Sequence, residues 1–224
     1  MQSSILIVAP HPDDETLGCG GTLLHHIANG DKVHWLIVTD ICRELGFTEL
    51  EVGQRQTEIQ QVSEAYGFAG VYNLKFPPAR LDTLPRAELI SAISHFMKNV
   101  MPEIVYLPYR GDVHTDHAVV FDAVVSCTKW FRYPFIRRVL CYETLSETDF
   151  GLNPESRSFT PNSFVNITKY IDKKIEIAKI YQTEMGEFPF PRSHQALQAL
   201  AKVRGAACGC LAAESFLLLR EIVK

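Results

Sequence analysis

Residues 5–9, Ile-Leu-Ile-Val-Ala, are followed one proline later by His11-Pro12-Asp13-Asp14-Glu15. A continuous apolar run with β-branched residues and no alternation suits a strand covered on both faces, the environment of a central strand in a parallel sheet. The pentapeptide then sets three carboxylates and an imidazole against the end of that strand. Near a folded core such a cluster repels itself, and a buried charge without a partner is costly. A divalent cation is the simplest way to satisfy it.

The rest of the chain alternates strand and helix. A helix is expected from about Thr16, through Leu23, Leu24 and Ile27, to the stop signal Asn29-Gly30. Further strands are expected over 33–39, 71–74, 104–107, 138–142 and 164–167, and helices over 51–66, 86–100, 118–130, 170–185 and 195–219. Loops are expected at 41–50, 76–84 and 145–162, the last two broken by Pro77, Pro78, Pro154 and Pro161. No linker or repeat divides residues 1–224. The alternation predicts a single-domain, doubly wound α/β fold: a mostly parallel sheet with helices on both faces. In the strand order 3-2-1-4-5 the first and fourth strands are neighbours across the crevice where such folds bind ligands. The two most unusual polar clusters, 11–15 and 109–117, follow those two strands, so they are expected to close into one site.

Composition removes several function classes. Hydrophobic residues at 46% and charged residues at 21% fit an ordinary globular chain rather than a disordered one. A formal net charge of −4 gives no electrostatic footprint for nucleic acid. No apolar run approaches the roughly 18 residues that cross a bilayer. Met1-Gln2-Ser3-Ser4 enters a strand without the basic region of a signal peptide, and the six cysteines form no C-x-x-C pair. A cytoplasmic protein is expected, its cysteines buried as small hydrophobes, with Cys208 and Cys210 on different faces of the last helix. Trp35, Trp130 and the phenylalanines are expected in the core. His25, His26, His34, His95 and His194 are scattered and suit packing or surface roles.

The chemistry therefore rests on His11 and Asp14 with His114-Thr115-Asp116-His117. Catalytic zinc commonly takes two histidines and a carboxylate and keeps a position for water. A leftover acid can accept and return a proton, a histidine can stabilise an oxyanion, and an aspartate can orient a ligand ring. The residues alone do not decide which of Asp13 and Asp14 binds the metal. Acids serving only a helix N-terminus would explain neither His11 nor the second cluster. A dinucleotide-binding oxidoreductase is the other alternative, with Gly18-Cys19-Gly20-Gly21 after one strand and Asp40 ending the next. Against it, the third glycine of G-x-G-x-x-G falls at Leu23, and the preceding acids would repel a pyrophosphate.

Residues 7–15, then Gly18-Cys19-Gly20-Gly21-Thr22 and His114-Thr115-Asp116-His117, resemble the LmbE/PIG-L family of zinc-dependent N-deacetylases. Arg55 through Glu58, Pro191-Arg192-Ser193, Ala199-Leu200-Ala201 and Arg204-Gly205 extend the resemblance over nearly the whole chain. It implies a Rossmann-like fold with His11, Asp14 and His117 as ligands of Zn2+, though Fe2+ is accepted by similar donors. It further implies Asp13 as general base, His114 at the oxyanion, Asp116 as an acid tuning its neighbours, and Arg55 beside the substrate. The implied reaction removes the N-acetyl group of an amino sugar, or of its glycoside or nucleotide conjugate, and releases acetate. An amidase acting on another N-acyl substrate is the alternative. The small-molecule substrate is the one partner implied besides a homo-oligomer. Asp112 and Phe190 depart from the pattern: some members that process inositol-linked sugars carry tyrosine at the first position, and many relatives carry histidine at the second. Arg55, Arg110 and Arg192 are of a type that can hold a phosphate or carboxylate on the substrate. A structural ion pair is the alternative for Arg55, Arg110 and Arg192 are expected to be solvated or structural, and Glu15 to start or support the helix.

Overall fold

β1 (Ser4–Ala9) forms where the sequence is most apolar, and Ile5 through Ala9 are fully buried. In the computed structural model, which describes residues 2–152 and 158–223, this strand pairs in parallel with two others. β2 (Lys32–Thr39) lies on one side and β4 (Ile104–Pro108) on the other, with Ile5 beside both Val33 and Ile104. β3 (Gly70–Phe76) joins β2, and β5 (Arg138–Tyr142) joins β4, again in parallel. These five strands have the expected order 3-2-1-4-5.

The connections carry α1 (Asp14–Ala28), α2 (Glu49–Tyr66), α3 (Arg86–Val100) and α4 (Thr115–Ser126). Side chains alternate across a strand, so each face of the sheet acquires its own apolar layer. Leu6 and Val8 pack with Ile93 and Met97 of α3 and Val120 of α4. Ile5 and Ile7 pack with Leu23 of α1 and Val62 of α2. Three helices start earlier than the sequence suggests. Thr48 and Glu51 form a reciprocal capping box that brings the start of α2 forward to Glu49. The starts of α1 at Asp14 and α4 at Thr115 place Asp14 and His117 in first helical turns. No helix among the described residues is long and apolar enough to cross a membrane.

The carboxyl-terminal third differs from expectation. The helix expected over 195–219 is instead α6 (His194–Cys208) followed by β7 (Ala213–Glu221). Gly209 takes φ 80°, the left-handed cap that ends helices. The leucines at 217–219 favour a helix by propensity, but β7 pairs them antiparallel against β5, Leu217 opposite Cys141. β6 (Ser163–Asn166) pairs with the other edge of β7, giving the order 3-2-1-4-5-7-6. Cys208 and Cys210 consequently flank the cap with their sulfurs 3.5 Å apart, not on separate helix faces. The helix expected over 170–185 is the shorter α5 (Ile171–Ala178). Because α4 ends at Ser126, Trp130 is 66% exposed rather than in the core. Residues 153–157, within the loop expected at 145–162 and including Pro154, lie outside the described residues.

Gly18, Gly20 and Gly21 lie inside α1, not in a phosphate-binding turn, which removes the structural basis of a dinucleotide site. A Cβ on Gly20 would stand 2.9 Å from Cγ of Lys174, and one on Gly21 would stand 2.7 Å from Cβ of Ile167. These glycines let α1 sit close to its neighbours. Lys174 completes the joint: its buried Nζ donates to Leu17 O (2.8 Å) and Glu214 Oε1 (2.7 Å). Glu214 also accepts the backbone N–H groups of Gly21 and Thr22, so α1, α5 and β7 share one satisfied ion pair. Gly21→Ala should overpack this joint and lower stability by about 1–3 kcal/mol. Gly53→Ala on α2, where a Cβ meets nothing within 4 Å, should instead raise stability by about 0.5–1 kcal/mol. Urea midpoints of the two variants check this, and shifts of the same sign would contradict the packing.

Candidate active site

Asp13 precedes the first turn of α1 with φ 136°, a conformation that L side chains rarely adopt. Such strain persists only where the surroundings over-determine it. Here Asp13 N donates to Glu15 Oε2 at 3.0 Å, and Asp13 O accepts from the N–H groups of Thr16 and Leu17 at 2.9 Å each. Glu15 is itself fully buried and accepts from the hydroxyls of Tyr181 (2.8 Å) and Thr16. Burial, partly opposed by these bonds, pushes its pKa up to about 7. Glu15 is thus a positioning residue for the strained turn at Asp13.

Asp14 Oδ2 lies 3.4 Å from His11 Nδ1 and 3.3 Å from His117 Nε2. The outer nitrogen of each ring meets a carboxylate: His11 Nε2 is 3.1 Å from Asp116 Oδ2, and His117 Nδ1 is 2.7 Å from Asp112 Oδ2. A ring that donates outward to a carboxylate presents its inner nitrogen as a lone pair, the usual support of a metal-ligating histidine. One donor atom from each of His11, Asp14 and His117 falls within a 4.8 Å cluster, and so does one from each of His11, His114 and Asp116. The second set is already spent. Asp116 Oδ2 also accepts from Ala79 N (2.7 Å), its Oδ1 accepts from Leu81 N (3.2 Å), and His114 Nδ1 accepts from Asp116 N (3.1 Å). The donors of His11, Asp14 and His117 therefore fit a divalent ion better.

Electrostatics separate the two adjacent aspartates. Burial would raise the Asp14 pKa, but His117 and His11 hold it far below the usual carboxylate range. Asp13 is driven well above that range by burial and by the charge of Asp14. Burial alone would lower His11, yet hydrogen bonds to Asp116 and Asp14 bring it up to about 9. Burial, then the neighbouring His11, pushes His114 down to about 4. Because His114 Nδ1 accepts the backbone N–H of Asp116, its ring proton sits on Nε2.

A cavity of about 500 Å³ opens over these groups, and His11, Asp13, Asp14 and His114 line it. Asp116 and His117 stand behind them, fully buried. Arg55 reaches the cavity, as expected for a residue beside substrate, but its guanidinium is occupied by Pro12 O (3.0 Å), Glu58 and Glu184. Arg192, expected to be solvated or structural, is ion-paired and also lines the cavity: its Nη1 is 3.3 Å from Asp13 Oδ2 and its Nη2 is 3.3 Å from Glu184 Oε2. Arg110 is exposed on Asp122. Sequence reasoning missed Asp112, Glu184 and Arg192. Asp112 left a signal as an acid five residues before a candidate ligand histidine in the same loop, and Arg192 as part of the Pro191-Arg192-Ser193 segment of the resemblance; Glu184 left none.

Residues 6–128, which contain the three candidate ligands and Asp13, His114 and Asp116, match the PIG-L family, described as GlcNAc-PI de-N-acetylase. Diacetylchitobiose deacetylase of Thermococcus kodakarensis is 26% identical over 92% of this chain and 79% of its own length. A probable N-acetyl-alpha-D-glucosaminyl L-malate deacetylase 2 of Bacillus anthracis is 23% identical over 80% of each chain. The conserved protein TT1542 from Thermus thermophilus, 26% identical, superposes with a TM-score of 0.79 over 100% of this chain and 97% of its own. The chain belongs to the PIG-L family.

Proposed function

We propose that the protein is a metal-dependent hydrolase that removes the N-acetyl group from an amino sugar, free or as a glycoside or nucleotide conjugate, and releases acetate. The observation that carries this is the convergence of His11, Asp14 and His117 donor atoms beside Asp13, with His11, Asp13 and Asp14 lining a sugar-sized cavity and His117 directly behind them. The deacetylase names of the Thermococcus and Bacillus relatives support the choice of acyl group. His11, Asp14 and His117 are the proposed ligands, with zinc the metal that best suits two imidazoles and a carboxylate and Fe2+ the second candidate. When bound, the ion supplies Lewis-acid polarisation of the acyl carbonyl and a water of lowered pKa.

The chain's own groups do the rest. Asp13 takes a proton from the attacking water as the water oxygen bonds to the acetyl carbon. The same carboxyl then delivers that proton to the sugar nitrogen as the C–N bond breaks, leaving amine and acetate. His114 Nε2–H is the donor available to the oxyanion of the tetrahedral species. Asp112 and Asp116 act through the ligand rings and are positioning residues, as Glu15 is for Asp13.

Two expectations separate these roles. Asp13→Ala should keep the metal through dialysis and lose acetate release by about 10²–10⁴-fold, whereas His11→Ala should lose the metal itself. Metal analysis and acetate release from N-acetylglucosamine and N,N′-diacetylchitobiose read both, and normal turnover by Asp13→Ala would overturn the assignment. Asp112→Ala should weaken metal binding by about 10–100-fold, with Asp112→Asn recovering part of it because an amide oxygen still accepts the His117 N–H. Competition with a chromogenic chelator measures the change.

A further inference from the structure

Resting on the deacetylase reading and narrowing it against nucleotide conjugates, we infer that Glu184 sets the charge of the substrate: it makes the cavity a site for amino sugars that carry neither phosphate nor carboxylate. A bound anion is recognised best by a guanidinium offering two parallel N–H groups. Among the described residues, Arg55 and Arg192 are the two arginines lining the cavity, and Glu184 contacts both. Its Oε1 meets Arg55 Nη2, and its Oε2 lies 3.3 Å from Arg192 Nη2. The other nitrogens of Arg55 face Glu58 at 3.5 Å and Pro12 O at 3.0 Å. Arg192 Nη1 faces Asp13 at 3.3 Å. Both terminal nitrogens of each guanidinium thus already face an oxygen of the protein, with Glu184 shared between the two.

The surrounding charge acts in the same direction. Asp40, Glu51 and Glu147 line the cavity along with Glu58 and Glu184. These five carboxylates outnumber the two guanidinium groups even when Asp13 and Asp14 are set against a divalent ion. A phosphate entering this field meets like charge in a partly enclosed site, a repulsive element of the kind that confers specificity.

The test uses the metal-loaded full chain, wild type and Glu184→Gln, with N-acetylglucosamine and N-acetylglucosamine 6-phosphate as a matched pair. Acetate release is read at low salt and at about 0.5 M salt, where charge effects are screened. Wild type should favour the neutral sugar by about tenfold or more in kcat/KM, and added salt should narrow the gap. Glu184→Gln should narrow it at low salt, chiefly through a lower KM for the phosphate. Equal use of the two sugars by wild type would overturn the inference, as would a preference unchanged by both salt and the substitution. Should Glu184→Gln fail to fold, the wild-type ratio and its salt response still decide. Calorimetric binding of the same pair reads the preference without turnover. Absence of acetate from N-acetylglucosamine and N,N′-diacetylchitobiose, with neutral sugar still bound more tightly, would count against the deacetylase reading and not against the charge preference.

Discussion

Parallel pairing of β1 with β4, Ile5 beside Ile104 and Ile7 beside Tyr106, is the constraint on which the site depends. It ends two strands side by side and starts a helix beyond each, with Asp14 first in α1 and His117 in the first turn of α4. Both helix N-termini therefore face one crevice, and their dipoles favour the acids gathered there. A slip of one residue in either strand would exchange its faces, dismantling both apolar layers. The buried registry of β1 is thus also the registry of the site.

The polar groups in that crevice are held by a chain of single-purpose contacts. Asp112 and Asp116 each fix one imidazole, Glu15 fixes the backbone of Asp13, and Tyr181 fixes Glu15. Buried carboxylates without donors would be costly, but each of these accepts from a named group. The arrangement leaves Asp14 and the inner ring nitrogens facing one another, with Asp13 beside them in a strained conformation. Adjacent residues of the same type then sit in different surroundings, Asp14 facing the two imidazoles and Asp13 facing Arg192.

Much of this was legible in the sequence, for identifiable reasons. The central strands announce themselves because burial on both faces demands uninterrupted apolar residues, as at 5–9. The candidate ligands come from two short contiguous segments, so their types and spacing survive in one dimension. Asp112 was visible as an acid, but its partner was not, because the i to i+5 contact with His117 exists only once α4 starts at Thr115. Arg192 reaches Asp13 from 179 residues away, along a path set by how the segment after α5 packs. β7 was misread because leucine propensity favours a helix, whereas strands are selected by their neighbours, here β5 and β6. Gly18, Gly20 and Gly21 serve close packing of α1 in a position that, from sequence alone, also resembled a phosphate loop.

Which donors hold the ion is open to one direct measurement. Anomalous diffraction at the zinc edge, from crystals of the zinc-loaded protein, locates the ion independently of turnover. It should lie within about 2.0–2.2 Å of a ring nitrogen of His11, of His117 Nε2 and of an Asp14 oxygen. Asp116 should remain on its two backbone N–H donors, out of contact with the ion. An ion held instead by His11, His114 and Asp116, with Asp14 uncoordinated, would contradict the division of roles between the two aspartates and the site built on it.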